Sequence, residues 1–169
     1  ELALLNTNVS ETVNADLCVT NCSSDQVGDL VIGDDITLNN RSTTLTQLEL
    51  TASDYLSLQG TISDVHQNLI LEATGFNGLS LETVADITVN QVSFRSRDQL
   101  DVLGSVTVTG NENTNPLANF IGANMAMAGL IQTSNQTRLG RIVMTALNQI
   151  NLRPESRVIA NGDLGGTVL

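Results

Sequence analysis

Lysine and tryptophan are missing from this chain, and their absence limits what it can be. All seven cations are Arg, set against 18 acidic residues, for a formal net charge of −11 and a pI near 4.1. A partner such as nucleic acid or an anionic membrane needs a basic face to bind, so neither is expected here. Aromatic residues are 2% of the total, one Tyr and three Phe, which requires an aliphatic interior. Charged residues are 15% against roughly 25% in ordinary domains. The surface must therefore be built of Asn, Thr, Ser and Gln, a composition that points to an extracellular setting. No apolar run approaches the ~20 residues of a membrane-spanning helix; the longest weakly polar window, Ala118 to Ile131, is broken by Asn119 and Asn124. Two Cys and one His are too few for a four-ligand zinc site, and the nonapeptide of calcium-loaded β-rolls is missing. No catalytic, cofactor or metal site is assigned.

What the sequence does contain is a repeat. Between Leu48 and Val108, short apolar-polar-apolar triplets recur three to a coil: Leu48-Glu49-Leu50, Leu56-Ser57-Leu58 and Thr61-Ile62; Leu69-Ile70-Leu71, Leu79-Ser80-Leu81 and Ile87-Thr88-Val89; Val92-Ser93-Phe94, Leu100-Asp101-Val102 and Val106-Thr107-Val108. The first triplets begin at 48, 69 and 92, intervals of 21 and 23 residues. A period in this range made of alternation, not of helical spacing, predicts stacked β-coils. A strand of three to five residues cannot bury its apolar face alone, but stacked on its equivalent in the next coil it shares a continuous interior. The competing fold is an antiparallel sandwich of equally short strands joined by hairpins.

The 169 residues, 17.9 kDa, suit one domain. The expected fold is all-β, a parallel β-helix of about six coils with three short strands per coil. Residues 30–169 form the helix, open at its C-terminal end, and residues 1–29 form an N-terminal cap or extended arm. Coils begin at Leu30-Val31-Ile32 and Ile36-Thr37-Leu38, with solvated acids at Asp34 and Asp35 in the turn between them. The window after Asn115-Pro116 has a helical alternative, with Asn115 as cap and Pro116 at the first position. Phe120, Met125, Met127 and Ile131 instead make a coil of the usual length, and the coil is preferred. The last full coil is Ile142-Val143-Met144, Ile150-Asn151-Leu152 and Val158-Ile159-Ala160, and Thr167-Val168-Leu169 reads as the first strand of another.

Ends of a solenoid leave unpaired strands and open core. Leu2, Leu4 and Leu5 at one end and Thr167, Val168 and Leu169 at the other are the candidate assembly residues, for an end-to-end homopolymer or for the rest of a longer solenoid. Charge supports a head-to-tail contact: residues 1–40 carry seven acids and no Arg, while residues 138–169 carry four Arg and two acids. In an oxidising compartment, Cys18 and Cys22 would close a small loop and fix the cap. Asn8, Asn21, Asn40 and Asn135 begin Asn-X-Ser/Thr sequons, candidate glycosylation sites.

The phrasing of Leu48-Glu49-Leu50-Thr51-Ala52 leading to Tyr55-Leu56-Ser57-Leu58-Gln59-Gly60-Thr61-Ile62, and of Ile150-Asn151-Leu152 followed by Ile159-Ala160-Asn161-Gly162, resembles filamentous haemagglutinin-like bacterial surface exoproteins. The resemblance covers roughly residues 30 to 169. It implies a right-handed parallel β-helix serving as the shaft of a surface adhesin, and it carries no site residues. The alternative is a carbohydrate-active β-helix enzyme, a polysaccharide lyase or hydrolase, with Asp98 and Asp101 beside Arg95 and Arg97 as its candidate groups. Opposite charges so close in sequence more often form a solvated pair. His66 has no nucleophile partner and is expected on the surface of the turn from Ser63 to Asn68.

Overall fold

The computed structural model describes residues 9–13, 17–18, 28–33, 35–38, 45–135, 138–162 and 165–169. Among these residues every strand pairing between named strands is parallel, and no helix is present. Three faces wind around one core. The first is made of β1 (Val9–Val13), β5 (Thr46–Ala52), β8 (Leu69–Gly75) and β11 (Gln91–Ser96), followed by the first halves of β14 (Leu117–Met127) and β16 (Gly140–Leu152), then β18 (Gly166–Val168). The second stacks β2 (Leu17–Cys18), β3 (Leu30–Ile32), β6 (Tyr55–Leu58), β9 (Gly78–Leu81) and β12 (Gln99–Val102), followed by the second halves of β14 and β16. The third runs β4 (Ile36–Leu38), β7 (Ile62–Asp64), β10 (Asp86–Val89), β13 (Ser105–Val108), β15 (Leu130–Thr133) and β17 (Arg157–Ala160).

This is the expected parallel β-solenoid, with about five complete turns, β5 to β17, between partial coils. The window from 115 to 131 is a coil: β14 is one 11-residue strand crossing two faces, with a register shift between Gly122 and Asn124 where it turns the corner. Residues 9–13, within the segment expected to cap the N-terminal end, lie in register along β5 from Val9↔Leu48 to Val13↔Ala52.

Alternation explains the interior. Every second residue points inward, and register aligns them into ladders: Leu48, Leu71, Val92, Ala118 and Ile142 on the first face, Leu56, Leu79, Leu100 and Met125 on the second, Ile62, Ile87, Val106 and Ile131 on the third. All of them are buried. One detail of the sequence register is corrected: Leu48 stacks on Leu71, and Leu69 stacks on Thr46. The sequence alignment of Leu48 with Leu69 is off by one alternation step. The two scarce interior aromatics, Phe94 and Phe120, share one ladder with Leu50 and Ala73, the small Ala73 offsetting the bulk beside it.

Candidate functional site

The C-terminal end carries the clearest departure from a closed core. The second half of β16 bonds to β14 on one side only, and β17 bonds only to β15; among the described residues nothing pairs their outer edges. Ile150 and Leu152 are the ladder equivalents of Met125 and Met127. The two Met are buried, whereas Ile150 is 41% and Leu152 52% exposed, with Leu147 also exposed beside them. β18 covers only the first half of β16, through Gly140↔Gly166 to Ile142↔Val168. Of the predicted assembly residues, Val168 and Leu169 are exposed and Thr167 is half-buried, all in or next to β18. Leu2, Leu4 and Leu5 lie outside the described residues. Sequence reasoning missed Leu147, Ile150 and Leu152 as surface; the signal was their alignment one coil beyond Met125 and Met127, with no described strand paired over them.

At the opposite corner, between the third and first faces, successive coils close differently. Four residues join β7 to β8, one joins β10 to β11, eight join β13 to β14 and six join β15 to β16. The one-residue corner is Asn90, fully buried. Its Nδ2 donates to Gln67 O at 2.6 Å, and its Oδ1 accepts from Thr114 Oγ1 at 3.0 Å. Asn111 Nδ2 donates to Asn68 Oδ1 at 3.1 Å. Asn135 Nδ2 donates to Thr109 O at 3.1 Å and Asn111 O at 3.2 Å, while its Oδ1 accepts from Arg138 N at 3.0 Å. The Arg138 guanidinium donates to Glu112 O at 3.1 and 2.8 Å. These bonds fix a cleft of about 390 Å³ lined by Gln67, Thr109, Gly110, Asn111, Glu112, Ser134 and Asn135.

The other predicted candidates separate. Arg95 extends from the first face with Nε donating to Ser93 Oγ at 3.3 Å; Arg97 lies over the Phe76 ring at 5.2 Å; Asp98 accepts from Asn124 Nδ2 at 3.3 Å at a corner; Asp101, on the second face, accepts from Gln99 Nε2 at 2.5 Å. They do not converge on one cleft. His66 is exposed in its turn, as expected, its N donating to Asp64 Oδ1 at 3.1 Å. Asn135 is half-buried, and the nitrogen that would carry a glycan is the one engaged above. Asn8, Asn21, Asn40 and the Cys18–Cys22 pairing lie outside the described residues. Among the described residues no cluster of three metal-ligating side chains occurs.

On the second face Tyr55 lies against Gly78, where an added Cβ would fall 2.4 Å from the ring. Burial raises its pKa above the ordinary value; a hydrogen bond with Ser80 pulls it down, and the charges of Asp101, Glu82 and Asp29 push it up. Ser80 Oγ in turn donates to Glu82 Oε1.

Among the described residues, fold and geometry therefore define a parallel β-solenoid whose last coil is uncovered on its second and third faces, with a polar corner cleft. No known protein family matches the chain, and comparison with curated proteins and with solved structures gave no match.

Proposed function

We propose that this chain is structural, non-enzymatic shaft material of an extracellular surface adhesin or filament, in the manner of the filamentous haemagglutinin-like exoproteins it resembles, and that it elongates end to end. The observation carrying this reading is the exposure of Ile150 and Leu152 at positions whose equivalents one coil earlier are sealed. Burying a Leu or Ile side chain stabilises by roughly 1.5–3 kcal/mol, and a free parallel edge offers backbone donors and acceptors to another strand. An N-terminal coil of a second copy presents such strands in the same direction. Its residues 1–40 carry −7 against +2 for residues 138–169, which favours head-to-tail over head-to-head contact.

Sedimentation across a concentration series, with electron microscopy of the upper range, tests the proposal. Rods lengthening in steps of one subunit are expected, with Leu152→Glu remaining a single short rod. A chain that stays monomeric at every concentration overturns end-to-end elongation. Incubation with acidic polysaccharides is expected to give no turnover; turnover abolished by Arg95→Ala and Asp98→Ala would replace this reading with the enzymatic one.

A further inference from the structure

Independently of how the solenoid elongates, we propose that the corner cleft is a saccharide-binding site. It exists because one coil turns the corner in a single residue. The loops on either side, 65–68 and 109–116, belong to coils two steps apart, and strand spacing of about 4.8 Å per coil places their planes roughly 9.6 Å apart. Asn90 bridges the two from below, reaching Gln67 on one wall and Thr114 on the other. Asn111 Nδ2 on one wall also donates directly to Asn68 Oδ1 on the other at 3.1 Å, so the corner is set by hydrogen bonds in advance of any ligand, which spares the ordering cost of binding.

The walls divide into fixed and uncommitted groups. Asn111, Asn135 and Thr109 spend their side chains on the scaffold, Thr109 Oγ1 donating to Val89 O at 3.3 Å. The side chains of Gln67, Glu112 and Ser134 make no hydrogen bond to described residues, and all three are exposed. Gln67 is also the one described non-glycine residue with positive φ, 57°, a conformation that L-residues adopt at a cost. Its loop is held there by Asp64, whose carboxylate accepts from His66 N at 3.1 Å and Asn68 N at 2.6 Å. A strained residue so clamped and lining a cleft is where function is expected.

An amide, a carboxylate and a hydroxyl around about 390 Å³ suit a ligand that both donates and accepts at several adjacent atoms, and the volume is in the range of small-molecule sites, roughly 300–1,000 Å³. Vicinal hydroxyls of a sugar ring meet that requirement. An anion would face the Glu112 carboxylate, while the nearby Arg138 guanidinium is spent on Glu112 O. A divalent cation would want several free oxygens, but the carbonyls of Thr109, Asn111 and Glu112 already accept hydrogen bonds. An apolar ligand finds no apolar side chain in the lining.

Saturation-transfer NMR of the full chain against a panel of neutral and acidic mono- and oligosaccharides, with calcium chloride alone as a separate arm followed by chemical shifts, tests the site. At least one saccharide is expected to bind, weakened tenfold or more by Gln67→Gly and by Glu112→Ala and unchanged by Val84→Ala on a distant turn. Gln67→Gly removes the amide while relieving the positive φ, so a folded, non-binding variant separates ligand contact from folding. No saccharide signal, a signal indifferent to both substitutions, or binding of calcium alone overturns the proposal.

Discussion

Phe94 and Phe120 meet edge to face inside the tube, ring centroids 5.7 Å apart and planes at 78°, as direct ladder partners in adjacent coils. Both are fully buried, and they are the only aromatic rings in the described core. Truncating either to Ala leaves a cavity in a rigid stack, and ~3–5 kcal/mol is the expected loss for each. Their mutual contact adds ~0.5–1.5 kcal/mol beyond burial. A double-mutant cycle by urea unfolding should return a coupling of that size, and strictly additive losses would show that the rings do not interact.

The class of fold was legible because each strand is too short to bury its own face, so the period of the stack is written into the chain. Register was legible only modulo two. Leu69 and Leu71 both point inward, and alternation alone accepts either as the partner of Leu48. Local turn chemistry argues the other way in the same region: Asn77-Gly78, a hairpin dipeptide by composition, sits at a corner between β8 and β9, which pair with other coils and not with each other. The apolar ladders outweigh that local preference. The open end could be traced from Ile150 and Leu152 once they were aligned with Met125 and Met127. The cleft could not, since it depends on differences in corner length and on hydrogen bonds among residues up to 43 apart in sequence, Asn68 and Asn111.

Tyr55 is the chain's one tyrosine, so its ionisation can be followed without overlap. Burial is the largest cause of its raised pKa, opposed by the Ser80 hydrogen bond and reinforced by Asp101, Glu82 and Asp29. Tyrosinate absorbance should titrate above pH 10 in the folded chain and return to ~10 in denaturant. The sign for stability follows by linkage: the contribution is complete below the unfolded pKa of ~10 and is lost as pH rises through the higher folded value. Tyr55→Phe should remove this alkaline loss, and Asp101→Asn should lower the folded midpoint. A midpoint identical in folded and denatured chain would contradict the burial.

Gly129 packs over the preceding coil's corner so closely that an added Cβ would sit 1.7 Å from Gly104 O. Gly165 differs, with φ of +98° and open space around it. Gly129→Ala must move backbone, at an expected cost of ~1–3 kcal/mol or more; Gly165→Ala meets only the conformational penalty of ~1–2 kcal/mol. Thermal unfolding of the two variants should place Gly129→Ala lower. The reverse order would mean that the corner stack yields easily.

Asn90 makes four hydrogen bonds while wholly excluded from water: its Nδ2 donates to Gln67 O, its Oδ1 accepts from Thr114 Oγ1, its N donates to Leu69 O at 2.9 Å, and its O accepts from Gly110 N at 3.2 Å. Asn90→Ala keeps the backbone pair but removes the two side-chain hydrogen bonds, with Gln67 O and Thr114 Oγ1, at an expected cost of ~1–3 kcal/mol. Asn90→Asp is isosteric yet replaces that donor with an oxygen facing the Gln67 carbonyl, and an uncompensated buried charge costs ~3–5 kcal/mol. The folded form would favour the protonated acid, so the Asn90→Asp deficit should shrink as pH falls from neutral through the raised folded pKa and level off below the unfolded value of ~3.9, while that of Asn90→Ala stays constant. Urea unfolding at neutral and acidic pH separates the two. A pH-independent deficit for Asn90→Asp would mean that water reaches the corner, and with it that the cleft above is not held open by a dry hydrogen-bonded floor.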